Sequence, residues 1–475
     1  MNSILSNDTL QLSREEMRAL GYKVIDRLVE HFENLRDKPV GCRVDRPMLE
    51  KRLRESLPEQ GTEVEIVLEQ LQQDVFNNIL YPAHPRFFAG IPSPSNFVSV
   101  MADALASGFN VFTGLWRVGP GAVEVELITI DWLRQLCGLP ETAGGLFVSG
   151  GTAANLTALA TARHTRLKDQ IKDGIAYCSD QTHPAIARSL RVLGFAPHQL
   201  RQFPSDPGFR LPLPELEREV AANRAAGKVP FCVVANVGTA STGAVDPLAD
   251  LADFCREEGL WLHVDGAHGA AAILCNQGRS LLKGLERVDS LAINPHKWLF
   301  QPFEIGCVLV RDSHQLKETF CIHREYLKLT DRAEEVNFCD YGIQLTRGFQ
   351  ALKLWMSLKV FGLNAFRKAI ARGIALAELA EKVLRESPCW EIVTPAQMGI
   401  VTFRYVPLSR SSAEVDAINR QLVEDMNVDA FAVVGLAVLK GRIALRVCTI
   451  NPRTTEADIR ETIHRLKRLG DELSP

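Results

Sequence analysis

Lys297 is the one lysine in the apolar stretch 290–310, where it lies between His296 and Trp298. A lysine in such a place either extends its apolar stem so that the amine reaches water, or keeps the amine buried. Burial disfavours the charged ammonium form, and a neutral amine can attack a carbonyl carbon to form a covalent bond. Lys297 is therefore a candidate nucleophile toward a carbonyl group, and other polar residues must decide between the two alternatives.

A second candidate site lies where an apolar strand pattern ends at Gly150, Gly151 and Thr152 and a helical pattern follows at once. Glycines allow close backbone approach, a helix N-terminus offers free N–H groups, and a threonine hydroxyl adds a donor, which together suit a phosphate. The same residues would equally form a glycine-rich turn with an N-cap threonine. The stretch has neither the GxGxxG nor the GK[ST] pattern, so dinucleotide and ATP binding lose support.

Asp265 ends the apolar run LWLHVDG, where a free carboxylate is costly unless a cation lies beside it. A protonated pyridine nitrogen is one such cation. The alternatives are a helix N-cap or a metal ligand. A metal site could use His183, His263 and His268, but their spacing is not that of a zinc site, so we expect no metal.

His183 stands just before a helical pattern and after another apolar run. A histidine at this position can stack on a flat ring or act as an acid or base. It can equally be a surface histidine that caps the helix. The segment by itself leaves both alternatives open.

These residues follow separate strand patterns, with the glycine-rich turn first, then Asp265, and then Lys297 about one strand–helix–strand unit further on. A ligand with a phosphate, a pyridine nitrogen and an aldehyde would use all three. That combination describes pyridoxal 5′-phosphate (PLP), which is the cofactor that the sequence predicts.

The elements that must position these residues alternate between apolar runs and helical patterns from about residue 97 to 355. Apolar strands that alternate with helices indicate a mostly parallel sheet covered on both faces, with ligands bound at the carboxyl ends of the strands. Thr239 also follows one of these strands. The apolar runs are GGLFVSGG, GIAYCSD, FCVVANVGT, LWLHVDG, SLAINP and IGCVLVRD.

The flanking regions predict three parts: an N-terminal helical segment over 1–95, a large domain over 96–354 and a small C-terminal α/β domain over 355–475. Ser13 and Glu16 form a capping box that starts the first helix. This helix has an apolar stripe that either the body of the chain or a second subunit must cover. The stripe consists of Met17, Leu20, Val24, Leu28 and Phe32.

The composition indicates which general class of protein the chain belongs to. The 475 residues are 46% hydrophobic and 23% charged, which is typical of a soluble globular protein. A net charge of -3 gives no support for a nucleic-acid or membrane partner. The 11 scattered cysteines, without a metal-binding spacing, predict reduced thiols, and no targeting segment is recognisable, so we expect a cytoplasmic protein.

Four segments, SGGTAANL, SDQTH, HVDGAHG and NPHKW, occur in this order and together resemble the group II PLP-dependent decarboxylases. The similarity is closest to the aromatic-L-amino-acid decarboxylase branch. It extends over nearly the whole chain, because the segments HPRFFAGIPSPSN and REYLKLT also fit the family pattern.

This resemblance implies a fold-type-I PLP enzyme that works as a homodimer. It implies that Lys297 holds the cofactor covalently, that Asp265 pairs with the pyridine nitrogen and that His183 stacks on the ring. Tyr326 matches the catalytic tyrosine that protonates the carbanion after CO2 leaves, although the segment alone favours an ordinary loop tyrosine. The resemblance places the remaining cofactor contacts at Gly150, Gly151, Thr152, Thr239, Ala267, Asn294 and His296.

Substrate preference is expected to depend on Gly90, Pro92, Ser93, Gly114 and Thr346. Gly90 and Gly114 stand where animal aromatic decarboxylases carry aromatic residues. Thr346 stands where plant relatives carry glycine for indole substrates or serine for phenol substrates. The glycines enlarge the pocket and the threonine narrows it. GIPSPSN has no cation, which disfavours an acidic substrate.

We therefore expect decarboxylation of an L-amino acid of the phenylalanine, tyrosine, DOPA or tryptophan class to the amine and CO2. One alternative is decarboxylation coupled to oxidative deamination, which gives an aromatic aldehyde. Others are decarboxylation of a non-aromatic amino acid, a different PLP lyase or an aminotransferase, and a PLP-binding protein without catalysis. Aldehyde-forming members of the family usually alter the tyrosine or the stacking histidine, so the presence of both Tyr326 and His183 favours simple decarboxylation. Retention of Lys297, His183 and Tyr326 argues against a protein without catalysis.

Overall fold

The structure is a computed structural model that describes residues 10–42, 44–322 and 335–474. Tyr326 lies outside the described residues. The helices are α1 Arg14–Asn34, α2 Arg46–Leu53, α3 Val64–Gln70, α4 Phe97–Gly108, α5 Pro120–Leu136, α6 Gly151–Leu167, α7 Ala185–Val192, α8 Leu213–Ala225, α9 Leu248–Glu257, α10 Asn276–Leu281, α11 His314–Phe320, α12 Ala351–Phe361, α13 Leu363–Arg385, α14 Ser412–Asp429 and α15 Glu456–Leu473. The strands are β1 Gly144–Val148, β2 Gly174–Ser179, β3 Leu200–Phe203, β4 Val229–Asn236, β5 Trp261–Asp265, β6 Ser290–Ile293, β7 Gly306–Val310, β8 Trp390–Gln397, β9 Ile400–Tyr405, β10 Gly435–Leu439 and β11 Arg442–Cys448.

The predicted mostly parallel sheet is confirmed. Seven strands lie in the order β1-β7-β6-β5-β4-β2-β3. All neighbours are parallel except β7, which runs antiparallel to both β1 and β6. Every residue of β2, β6 and β7 is buried, as expected for a sheet covered by helices on both faces. Helix α6 packs across β4, β5, β6 and β7.

The reversal of β7 changes the setting of Lys297. The stretch 290–310 forms two strands, at the predicted runs SLAINP and IGCVLVRD, and Lys297 lies in the connection between them. This connection contains no helix, and a parallel neighbour requires a longer crossover, so β7 returns antiparallel. Lys297 is therefore placed at the carboxyl end of β6, at the same edge as the end of β5.

The C-terminal region contains a second sheet, in the order β10-β11-β9-β8, in which all neighbours are antiparallel. Helices α13 and α14 pack on it, and α15 packs on both of these helices. The small C-terminal α/β part is thus present, and the residue boundaries of the three predicted parts stay predictions.

The N-terminal helix starts as its sequence predicts. The Ser13 hydroxyl accepts a hydrogen bond from the Glu16 N–H at 3.2 Å, and the Glu16 carboxylate accepts one from the Ser13 N–H at 2.7 Å. No residue of α1 is buried. Met17 remains 56% exposed and Val24 37%, whereas Leu20, Leu28 and Phe32 are half-buried, so the body of the described chain covers the apolar stripe only in part.

Candidate active site

One cavity of about 410 Å³ lies at the carboxyl edge of the parallel strands. Residues that follow β1, β2, β4, β5 and β6 line it, which is where ligands bind in sheets of this type. The structure brings all ten predicted cofactor residues to this cavity. They are Gly150, Gly151, Thr152, His183, Thr239, Asp265, Ala267, Asn294, His296 and Lys297.

The N-terminus of α6 forms one end of the cavity and offers an anion site. Its N-cap, Gly150, has no side chain to satisfy the free N–H groups of the first turn, and no side-chain cap bond is present. A Cβ at Gly151 would lie 2.9 Å from the Asn294 Nδ2, so glycine permits this close approach. These features fit a phosphate group.

Lys297 reaches the cavity from the connection after β6. The Lys297 side chain is partly exposed to the cavity, but protein atoms surround its amine on most sides. Burial lowers the pKa of Lys297, and the nearby Asp265 carboxylate partly opposes this effect. A lowered pKa increases the fraction of neutral amine, which is the form that attacks an aldehyde.

Asp265, the last residue of β5, has two N–H donors. Its Oδ2 accepts from the Asn155 Nδ2 at 3.0 Å and its Oδ1 accepts from the Ala267 N–H at 3.1 Å. Both contacts suit an ionised carboxylate, which has no proton to donate. The arrangement fits a carboxylate that faces a protonated ring nitrogen.

His183 both caps a helix and faces the cavity, which are the two alternatives that its sequence segment left open. Its Nδ1 accepts a hydrogen bond at 3.2 Å from the N–H of Ala185, the first residue of α7, and its ring also lines the cavity. Burial lowers the pKa of His183, while Asp265 opposes this shift. Because the Nδ1 accepts, the neutral ring carries its proton on the Nε2.

Two histidines that sequence reasoning left without a settled role are buried at the site. His268 stacks on Trp298 with ring centroids 5.0 Å apart, and its Nε2 lies 2.9 Å from the Met398 carbonyl. Burial lowers the pKa of His268 to about 3. His263 forms a hydrogen bond with Asn155. Asn155 was not among the predicted site residues, because an asparagine one turn into a helix gives no signal of a site in the sequence.

The metal alternative finds no support in the described part of the chain. There, no group of three or more His, Cys, Asp or Glu side chains is arranged to hold a metal ion.

The five predicted substrate residues lie outside the cavity lining of the described chain. Ser93 donates its hydroxyl to the His296 carbonyl, and Pro92 is buried beside it in sequence. Gly90 accepts a hydrogen bond from Arg446 through its carbonyl, and the same guanidinium donates to the carbonyl of Ala240, which does line the cavity. These residues are thus close neighbours of the lining.

Gly114 and Thr346 also lie outside the cavity lining. Gly114 is buried, and a Cβ there would lie 2.6 Å from the Leu345 carbonyl oxygen. Thr346 is exposed. The two positions are therefore close to each other, and their role in substrate choice stays a prediction.

Comparison with known proteins gives a consistent result. Residues 47–406 match the family model of the pyridoxal-dependent decarboxylase conserved domain. The chain is 47% identical over 471 residues to the aromatic-L-amino-acid decarboxylase of Bacillus atrophaeus, and 98% of each protein is covered. It is 31% identical to a phenylacetaldehyde synthase of Arabidopsis thaliana, with 95% of each covered.

Solved structures show the same fold. The crystal structure of Oryza sativa TDC with PLP and tryptamine superposes with a TM-score of 0.94 at 29% identity, covering 98% of this chain and 100% of that one. Catharanthus roseus tryptophan decarboxylase in complex with L-tryptophan gives a TM-score of 0.92 at 29% identity, with the same coverage.

Proposed function

Because the chain belongs to the pyridoxal-dependent decarboxylase family, we propose that it converts an aromatic L-amino acid to the amine and CO2. It is an amino-acid decarboxylase, and its cofactor is PLP. The assignment of an aromatic substrate is supported by the 47% identity, over almost the full length, to an enzyme named for aromatic L-amino acids.

The cavity has a place for each part of the cofactor. The first turn of α6 would hold the phosphate, the Lys297 amine would bind the aldehyde carbon, and the Asp265 carboxylate would face the pyridine nitrogen. When bound, PLP supplies an electron sink for the carbanion that loss of CO2 leaves. Asp265 strengthens that sink because its negative charge keeps a proton on the ring nitrogen.

Two further residues would complete the reaction. His183 lines the cavity and would stack on the cofactor ring. Tyr326, outside the described residues, would give its proton to the former α-carbon, since an unperturbed phenol keeps its proton at neutral pH.

A substrate panel tests the proposed function. PLP-loaded protein is incubated separately with phenylalanine, tyrosine, DOPA, tryptophan and glutamate, and CO2 and organic product are quantified. We expect amine and CO2 in equal amounts from at least one aromatic amino acid, and none from a Lys297→Ala control. Turnover of glutamate alone, or no release of CO2 from any aromatic amino acid, would contradict the proposal.

The aldehyde-forming alternative has one specific observation in its favour, the similarity to phenylacetaldehyde synthases. Retention of both His183 and Tyr326 favours the amine instead, because aldehyde-forming members of the family are expected to alter one of them. Aldehyde, ammonia and hydrogen peroxide are measured in the same reactions under air and under nitrogen. Aldehyde as the main product under air would replace the amine assignment.

The assembly that we propose is a homodimer. Met17 and Val24 on the apolar stripe of α1 are exposed in the single chain, and Phe109 after α4 is 80% exposed. A second copy would bury these side chains, and burial of apolar area is the main driving force for association. Light scattering of the purified protein tests this, with a monomeric mass as the contradicting result.

We also propose that the enzyme works in the cytoplasm. No two cysteines of the described chain form a disulfide, as expected for a protein in a reducing compartment. None of the described helices is long and apolar enough to cross a membrane. Fractionation of the source cells tests the location.

A further inference from the structure

A continuous chain of hydrogen bonds runs from Asp265 into the core of the large sheet. The Asp265 Oδ2 accepts from the Asn155 Nδ2 at 3.0 Å, and the Asn155 Oδ1 lies 2.8 Å from the His263 Nε2. The His263 Nδ1 lies 2.9 Å from the Ser290 hydroxyl oxygen, which accepts from the Trp261 Nε1 at 2.8 Å. Of these five side chains, Asp265 and Asn155 line the cavity, whereas His263, Ser290 and Trp261 do not and can act only through them.

The donors and acceptors in this chain allow two arrangements. In the first, each group donates in the direction of the carboxylate: Trp261 to Ser290, Ser290 to the Nδ1 of His263, and the Nε2–H of His263 to the Asn155 oxygen. The Asn155 amide nitrogen then donates to Asp265. Every hydrogen bond has one donor and one acceptor, because the indole N–H can only donate and an ionised carboxylate can only accept.

In the second arrangement the Asn155 amide is rotated, and Asp265 must carry a proton to donate to the Asn155 oxygen. His263 would then carry its proton on the Nδ1 and donate to Ser290. The Ser290 hydroxyl would accept from both Trp261 and His263, and its own proton would lack an acceptor among its described contacts. A buried donor without a partner is costly, so the first arrangement is favoured.

We propose that Asn155, His263, Ser290 and Trp261 are positioning residues that fix His263 as the neutral Nε2–H tautomer and keep Asp265 ionised toward the cofactor ring nitrogen. This inference rests on the proposed function for the part that concerns the cofactor, whereas the tautomer of His263 does not depend on it.

The charges around the chain agree with this assignment. His263 is fully buried, and burial lowers its pKa to about 4, so its ring stays neutral at physiological pH. The other titratable groups that interact with Asp265 are Lys297 and His183. Neither forms a hydrogen bond with His263, so its tautomer is set by Asn155 and by the hydroxyl and backbone groups of Ser290.

The first experiment determines the tautomer directly. Protein labelled with 15N at histidine is studied by NMR without and with PLP, and a His263→Phe variant identifies the relevant signals. We expect a protonated Nε2 and an unprotonated Nδ1 between pH 8 and pH 6 in both forms. A proton on the Nδ1 of His263 would overturn the proposal, whether or not the protein binds PLP.

The second experiment uses PLP labelled with 15N at the ring nitrogen. Asn155→Leu removes a donor to an ionised group, which should shift the proton equilibrium between the ring nitrogen and Asp265 toward the carboxyl by about 10- to 100-fold. The ring-nitrogen signal should therefore move toward that of unprotonated pyridine. Ser290→Ala should act in the same direction with a smaller effect, and it gives a second test if Asn155→Leu does not fold.

Thr157→Val is the matched control, because Thr157 lies on the same helix and loses one buried hydrogen bond, to the Ala153 carbonyl, that has no connection to the chain. Its ring-nitrogen signal should equal that of the wild type. Signals in Asn155→Leu and Ser290→Ala that also equal the wild type would show a purely structural role and refute the proposal. Failure of the wild type to bind PLP would instead refute the proposed function, with the tautomer experiment still deciding the hydrogen-bond chain.

Discussion

Replacing Arg347 with Met should lower the free energy of unfolding by about 3 to 5 kcal/mol, the usual cost of removing one partner from a buried ion pair. The buried Arg347 guanidinium donates to both carboxylate oxygens of Glu126 on α5 and, at 2.7 Å, to the Phe147 carbonyl on β1. Glu126 is fully buried, and without Arg347 its one remaining hydrogen bond within the described residues would come from the Phe147 N–H at 3.0 Å. The large cost arises because a buried carboxylate is left without a cation.

A second variant separates the cost of the isolated charge from the value of the pair. In Glu126→Gln with Arg347→Met, the Gln oxygen can still accept from the Phe147 N–H, and its amide can donate to the Phe147 carbonyl. No buried charge remains, so the double variant should recover most of the loss, because replacing a buried ion pair with neutral groups is often close to neutral. The difference between the single and double variants gives the cost of the unpaired Glu126.

The assay is urea unfolding of the cofactor-free protein, followed by circular dichroism and tryptophan fluorescence. Arg218→Met is the matched control, because Arg218 pairs with Glu215 at 3.0 Å while their side chains are 74% and 45% exposed. Exposed pairs contribute about 1 kcal/mol or less. A loss in Arg347→Met no larger than that of the control would refute the reasoning, as would a double variant less stable than the single one.

Four further outcomes are expected. Lys297→Ala should abolish the visible absorption of the purified protein, and borohydride treatment of the wild type should attach the cofactor to the peptide that contains Lys297. Tyr326→Phe should slow amine formation sharply and shift the product toward aldehyde and peroxide under air; amine formation at the wild-type rate would show that this phenol is not the acid. Met17→Asp with Val24→Asp should give monomers by light scattering, since both side chains lie on the exposed part of the apolar stripe of α1, and an unchanged dimer would contradict the proposed interface. The pKa of His268 in the folded state is about 3, below its ordinary value of 6.5, so protons bind the unfolded state first and stability falls as pH decreases from about 6.5 toward 3. This histidine should contribute up to ~1.4 kcal/mol per pH unit to that slope, and His268→Gln should show a correspondingly shallower dependence of the free energy of unfolding on pH.

Much of the fold and of the cofactor site could be predicted from sequence because the relevant signals are local. Apolar runs that alternate with helical patterns indicate a parallel sheet, and polar residues directly after such runs must meet at its carboxyl edge. Gly151, Asp265 and Lys297 could therefore be assigned to one site before any contact was known. Tyr326 was assigned only through the resemblance to a family, and its place stays a prediction.

Tertiary structure decided what depends on partners distant in sequence. The separate runs SLAINP and IGCVLVRD predict two strands, but their antiparallel pairing became visible only when the connection carrying Lys297 was placed. Glu126 with Arg347, and Asn155 with His263, meet through packing of separate elements, and the composition of neither segment indicates the other. Hydrophobic periodicity specifies which face of an element is buried, but the hydrogen-bond partner of a buried polar group is specified only by the element packed against it.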